Sequence, residues 1–291
     1  MTHPPNLVPD SADAEETIAL LRLCGGRARL EQVAGAIFNV ADADSATARA
    51  LFDEFLKDDW RFGLNAGGEV EMICADHECL ALDAADYVVL DVETTGSGPK
   101  AGRVMEIGAY RVSRGRIVAE FQTLVNPLEP IPEFISGLTG ITEQMVADSP
   151  RFEEIACEML GFIGESVLVA HNSDFDVRFL NGEIGRLYPR RKMFNASLCT
   201  LRLSRRLLPG LLNYRLHTVA EHFNVSIRNR HRAPGDAEAT AHIFIGLLEL
   251  LRAGGVNDLG GARRYEQRGE PRGKSRRGGG GNGRKQHTAA V

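Results

Sequence analysis

The chain has 291 residues, 43% of them hydrophobic and 25% charged, with a formal net charge of −5. That length supports one sizeable core plus a small second domain, and the composition is that of a soluble globular protein. No run of about 18 apolar residues occurs, so neither a membrane-spanning helix nor a membrane partner is expected. Met1–Asp10 has no basic stretch followed by an apolar run, which predicts no signal peptide. Cys24, Cys74, Cys79, Cys157 and Cys199 are odd in number and scattered, a pattern for reduced thiols in the cytoplasm rather than a disulfide framework. Cys74, His77 and Cys79 lie close together, but no second pair at metal-ligand spacing accompanies them, so no zinc site is expected there.

In chain order, residues 11–80 read as a small first domain. Glu15–Cys24 has Ile18, Leu20, Leu21 and Leu23 in a helix-like run, and Gly25-Gly26 ends it. Leu30–Asn39 and Ser45–Asp58 follow as two more helices, with Val33, Ile37, Phe52 and Phe55 at helical spacing. Trp60–Leu64 and Val70–Cys74 read as strands around the turn Asn65-Ala66-Gly67-Gly68. Three helices and a hairpin suggest a winged-helix-like domain. Its basic residues are few (Arg27, Arg29, Arg49, Lys57), and Asp53 and Glu54 sit among them, which favours a protein contact over DNA binding.

Residues 83–252 alternate strands with helices, so this region is α/β. Strands are expected at Tyr87–Val92, Val104–Val112, Ile117–Val125 and Val167–Ala170. Helices are expected from Ser149-Pro150 to Ile163, with proline in the first turn, and over Phe175–Leu187 and Leu216–Phe223. A last helix is expected to open at Pro234 and run to Leu251. Residues 253–291 are rich in Gly, Arg and Lys and predict a disordered basic tail. From Arg263 onward there are nine Lys and Arg against two Glu, a local charge of +7, which leaves −12 on the rest of the chain. An acidic body with a basic tail suits a protein that meets a polyanion through that tail.

Three places carry chemistry. Asp91 and Glu93 stand two residues apart at the C-terminal end of an apolar strand, so both carboxylates face one side. Unpaired, they repel and raise each other's pKa; divalent cations remove that conflict. Asp174 and Asp176 follow a second apolar strand and open a helix; either can be a ligand, and both can be dipole-favoured helix acids. His231 precedes the last helix and Asp236 lies in its first turn. A histidine beside a metal site suits a general base, because its ordinary pKa is near neutrality.

Together these segments resemble the DEDDh 3′→5′ exonuclease family, which includes the proofreading subunit of bacterial DNA polymerase III. Asp91-Val-Glu-Thr-Thr-Gly96, His171-Asn-Ser-Asp-Phe-Asp176 and His231-Arg-Ala-Pro-Gly-Asp236 resemble its three motifs in order, and the second selects Asp176 over Asp174. Ile135-Ser-Gly-Leu-Thr-Gly-Ile-Thr142 resembles a segment between the first two. One departure is Cys199, where many relatives have an acid before Thr-Leu.

The resemblance implies a ribonuclease-H-like domain, a mixed five-stranded sheet flanked by helices. It implies that Asp91, Glu93, Asp176 and Asp236 hold two Mg²⁺ or Mn²⁺ ions, with His231 as base. It implies substrate contacts at Thr94, Thr95, Gly96, Leu138, Thr139 and Asn172, Asn172 otherwise being a helix cap. The expected partners are nucleic acid, DNA ahead of RNA, and a DNA polymerase or repair complex. An RNA-trimming enzyme and a non-catalytic adaptor are the alternatives.

Overall fold

The computed structural model describes residues 6–73 and 77–267. The chain opens with β1 (Leu7–Pro9), α1 (Ala12–Leu23), β2 (Arg27–Arg29), α2 (Leu30–Ile37), α3 (Ser45–Phe55), β3 (Phe62–Leu64) and β4 (Glu69–Met72). The caps explain the helix starts. Ser11 accepts from the Ala14 N–H and Asp44 from the Thr47 N–H. The hairpin turn is tied by Asn65, whose Oδ1 accepts from the N–H groups of Gly67 and Glu69. Besides the expected helices and hairpin there is a third strand, β2, which pairs with β4 in the order β2-β4-β3. Ile18, Leu21, Val33, Phe52, Leu56, Phe62 and Val70 form this unit's core.

Strand β1 precedes the domain expected from residue 11 and belongs with the body instead. It pairs antiparallel with residues 191–193 of the following body, and Leu7 is buried in that body's core. The Trp60 indole N–H donates to the Leu7 carbonyl at 3.2 Å, so the strap joins both units. Cys74 lies outside the described residues; His77–Cys79 form one short turn of 3₁₀ helix.

The body comprises β5 (Asp86–Thr94), β6 (Val104–Ser113), β7 (Arg116–Leu124), α4 (Glu133–Thr139), α5 (Glu143–Val146), α6 (Phe152–Ile163), β8 (Val167–Ala170), α7 (Ser173–Leu187), β9 (Arg191–Met193), β10 (Ser197–Cys199), α8 (Thr200–Leu207), α9 (Leu216–His222), α10 (Ala233–Ala253) and α11 (Leu259–Gln267). Its sheet is mixed and five-stranded, in the order β10-β8-β5-β6-β7, as expected. β5 lies at the centre, antiparallel to β6 and parallel to β8. Its apolar run has no solvent face because helices cover both sides. Val88, Leu90 and Val92 pack with α6 and α7. Tyr87 and Val89 point the other way, into a core shared with α8, α9, α10 and α11.

Two expectations about element ends change. The helix expected to open at Ser149-Pro150 begins at Phe152, because the Pro150 carbonyl is engaged by the Asn126 N–H and Glu154 caps the Arg151 N–H. The tail expected from residue 253 starts too early. α11 is ordered because Leu259 and Ala262 are buried in the main core and Glu266 accepts from the Cys199 N–H at 2.8 Å. A high glycine content masked that short helical set. The rest of the expected tail, residues 268–291, lies outside the described residues.

One contact seats α10 on the sheet. Gly108 of β6 is paired with Asp91 of β5. A Cβ at Gly108 would fall 2.5 Å from the Ala233 carbonyl oxygen and from Pro234 Cα. The backbone at the start of α10 therefore lies directly on the glycine, next to Asp91. Two residues along β6, the Glu106 carboxylate accepts from the Ala233 N–H at 2.8 Å and from Arg232 Nε at 3.0 Å. That pair satisfies the helix start and neutralises a buried acid. Gly108→Ala is expected to cost about 1–3 kcal/mol in urea unfolding, the usual penalty of overpacking. A loss below about 0.5 kcal/mol, the scale of an ordinary surface change, would show that α10 is free to move off the sheet.

Candidate active site

The site forms where three elements end. β5 brings Asp91 and Glu93 to the α10 side of the sheet. The first turn of α10 brings Asp236, and carboxylate oxygens of these three residues lie within 4.8 Å of one another. The first turn of α7 brings Asp176, whose Oδ1 accepts from the Val92 N–H on β5 at 3.2 Å. Thus the fourth carboxylate is tied to the strand that carries the first two.

Placing these groups together has an electrostatic cost. Burial, followed by the nearby charges of Asp176, Glu93, Asp236 and Glu106, holds the Asp91 carboxyl well above its usual range. Burial and then Asp236, Glu106 and Asp176 push Glu93 up to about 8, with Arg232 opposing. Asp176 is raised by burial, against the pull of backbone N–H groups. Asp236 is raised by burial too, while the His231 N–H, His231 and Arg230 draw it down. Asp236 Oδ1 is buried and has no hydrogen-bond partner among the described residues. Oxygen-rich, crowded and with one acceptor orphaned, the group suits a hard divalent cation.

His231 stands beside the cluster in a left-handed backbone conformation, φ +61, uncommon for a residue with a Cβ. Its N–H donates to Asp236 Oδ2 at 2.9 Å, so the histidine and the acid are positioned by one bond. Gly235 makes the turn possible, since a Cβ there would collide with the Arg228 carbonyl.

The cluster opens into a cavity of about 590 Å³, large enough for a small ligand such as one nucleotide. Its wall includes Asp91, Glu93, Asp176, Asp236, His231 and Asn172, all expected from sequence. Asn172 is left-handed, φ +84, and its side chain makes no capping bond to α7, so the capping alternative is set aside. The other expected contacts lie off this wall. Thr94 donates to the Gly96 carbonyl, and Thr95 pairs with Glu129 and accepts from the Arg103 N–H, so both hydroxyls shape their own loop. Thr139 is buried with its hydroxyl on the Ile135 carbonyl, whereas Leu138 is exposed on α4.

Several wall residues had gone unassigned: His171, Phe175, Arg205, Asn213, Tyr214, Arg215, His217 and Arg230. His171 adjoins a motif yet had no role. Its Nε2 faces the Tyr214 carbonyl at 2.9 Å and must donate, which leaves Nδ1 to accept from the Thr200 hydroxyl at 3.0 Å. Burial lowers its pKa to about 4, so it is a neutral clamp between the end of β8 and the loop before α9.

Comparison with known proteins agrees with this geometry. The sequence model of the Exonuclease family (RNase T) matches residues 88–244, more than half of the chain. The chain belongs to the Exonuclease family. It is 41% identical over 182 residues to the DNA polymerase III epsilon subunit of Aquifex aeolicus, covering 62% of this chain and 90% of that protein. It is 45% identical over 174 residues to a PolC-type DNA polymerase III of Caldanaerobacter subterraneus, covering 60% of this chain and 12% of that protein. A Bacillus subtilis PolC-type polymerase is 37% identical over 175 residues, again with 12% of its length covered. This exonuclease-family chain thus spans most of the epsilon subunit but only about an eighth of the PolC-type relatives. Among solved structures, exonuclease I superposes with a TM-score of 0.50 at 18% identity, covering 58% of this chain and 43% of that one, which shows a shared fold. No helix among the described residues is long and apolar enough to cross a membrane.

The raised carboxyls set a pH dependence. Between the ordinary carboxylate range and pH 8 the folded cation-free protein binds more protons than the unfolded chain, so its stability falls as pH rises through that window. Mn²⁺ competes with those protons and binds the folded state, so its gain in melting temperature is expected to be larger at pH 8 than at pH 5. Melting curves with EDTA and with Mn²⁺ at both values check this. An equal gain at both would mean that the ion binds elsewhere.

Proposed function

We propose that this protein is a metal-dependent 3′→5′ exonuclease that removes nucleoside 5′-monophosphates from DNA during proofreading or repair, in the cytoplasm. The observation that carries the reading is the convergence of Asp91, Glu93, Asp176 and Asp236 with His231 on one nucleotide-sized cavity. A scaffold has no use for four crowded acids, two of them buried and two half-buried. The DNA polymerase III names of its relatives support DNA as substrate and a polymerase as partner.

In this reading Asp91, Glu93, Asp176 and Asp236 would hold two Mg²⁺ or Mn²⁺ ions, which would relieve the repulsion that raises the Asp91 carboxyl. Ions held there supply Lewis-acid stabilisation of charge on the phosphate and lower the pKa of water. His231 takes the proton from the attacking water. The water oxygen bonds to phosphorus, the bond to the 3′ oxygen of the preceding nucleotide breaks, and that oxygen takes a proton from solvent and leaves as a hydroxyl. Asn172 orients the terminal nucleotide from the cavity wall. Thr94, Thr95, Gly96, Leu138 and Thr139 keep the substrate-holding roles that the family resemblance implies, Leu138 being the exposed member. The N-terminal unit is winged-helix-like and serves as a protein contact.

The decisive experiment digests matched 5′-labelled DNA and RNA strands with Mn²⁺. A ladder shortening from the 3′ end, faster on DNA, is expected. Asp91→Ala is expected to lower the rate by about three orders of magnitude or more, given the barrier the metals remove, and His231→Ala by about 10²–10⁴. Faster RNA digestion would reassign the substrate, and no shortening of either would leave an adaptor. Residues 268–291 carry seven Lys and Arg against one Glu. Deleting them, with α11 kept whole, is expected to raise KM at low salt while kcat holds, because lost phosphate contacts act through counterion release. An unchanged KM would remove the tail from substrate binding.

A further inference from the structure

Three arginines on the cavity wall form no salt bridge among the described residues. Arg205 ends α8, Arg215 caps the start of α9, and Arg230 lies one residue before His231. All three line the cavity that holds the acidic cluster. All three are exposed, and none forms a salt bridge among the described residues. Elsewhere on the body the arginines near the site are paired: Arg103 with Glu183, Arg202 with Asp174 and Glu266, and Arg232 with Glu106. Three cations without a salt bridge among the described residues thus face one opening of an acidic body, with Arg230 also close enough to Asp236 to draw its pKa down.

The loop that presents Arg215 is built to stay in place. His171 holds the Tyr214 carbonyl, and the Tyr214 hydroxyl donates to the Leu208 carbonyl at 3.1 Å. Asn213 Oδ1 accepts from the Arg215 N–H at 3.0 Å and from the Thr218 hydroxyl at 2.8 Å. On the other side Arg230 donates to His217 Nδ1 at 3.2 Å, which aims that guanidinium along the same wall. A fixed loop loses little freedom when it binds, and guanidinium groups match phosphate oxygens in planar pairs.

We propose that Arg205, Arg215 and Arg230 clamp the phosphates of the strand that departs from the scissile linkage. The proposal rests on the exonuclease reading and narrows its substrate class. The enzyme would take a single strand with further phosphodiesters on the 5′ side of the cut, gripped by its backbone and so without regard to base sequence.

The test compares two substrates. One is a 5′-labelled single-stranded DNA oligonucleotide. The other is the p-nitrophenyl ester of thymidine 5′-monophosphate, which has the scissile phosphate but no departing strand. Each single arginine-to-alanine change is expected to raise the oligonucleotide KM about fivefold to tenfold. Each is also expected to flatten the slope of log(kcat/KM) against log salt by about 0.7. Turnover of the ester is expected to change by less than about threefold in the Arg205 and Arg215 variants. Arg205→Lys is expected to restore the salt slope but only part of the KM, since it returns the charge without the planar fork, and Arg114→Ala and Arg116→Ala, at the distant β6–β7 turn, to cause no loss. Equal losses on both substrates, or none on either, would overturn the clamp. Anisotropy of the labelled strand in EDTA reads binding without turnover. If the wild type cleaves neither substrate yet these changes still weaken binding, the activity reading fails and the clamp stands. If binding is also unaffected, the clamp fails.

Discussion

Four carboxylates held close together repel, and the surroundings of the site are arranged to tolerate that repulsion. The folded protein is left with carboxyls raised above their ordinary range and one buried oxygen of Asp236 unpartnered. The free energy that could have gone into stability is kept as affinity for cations. A buried cluster of this kind persists only if rigid surroundings deny it the small shifts that would relieve it.

Those surroundings are specific. Central strand β5 is locked on both faces by apolar packing, so Asp91 and Glu93 cannot splay. Asp176 is pinned to that strand through the Val92 N–H. Asp236 is pinned by the His231 N–H, and the helix that carries it rests on Gly108. Glu106 would add a fifth charge, but the guanidinium of Arg232 and the Ala233 N–H engage it, turning a liability into the cap of α10. A neutral His171 secures the opposite wall. The acids and the arginines Arg205, Arg215 and Arg230 thus line one cavity.

Cys199 illustrates how an element late in the chain supports one near the site. The Cys199 N–H is met by Glu266 of α11, which also reaches Arg202, and Arg202 reaches Asp174 beside the second motif. The end of the helical body, glycine-rich and unpromising by composition, is therefore linked to the helix that carries Asp176.

The amino-acid sequence by itself determined the α/β class and the central strand and singled out Asp91, Glu93, Asp236 and His231 as candidates, while between Asp174 and Asp176 only the family resemblance chose. Those signals are local: an apolar run ending in acids two apart, a strand breaking into a polar helix start, and a Pro-Gly turn before a final helix. It also placed the first domain's helices and hairpin. Strands β1 and β2, helix α11 and the seating of α10 needed the tertiary structure, because each is stabilised by partners far away in the chain. The same holds for the arginine wall. Arg205, Arg215 and Arg230 look like ordinary surface charge in the sequence, and only the fold brings three separate elements to one opening. Glu106 shows the reverse: an unremarked acid between apolar neighbours on β6, whose pairing with Arg232, more than a hundred positions away, no local pattern could reveal.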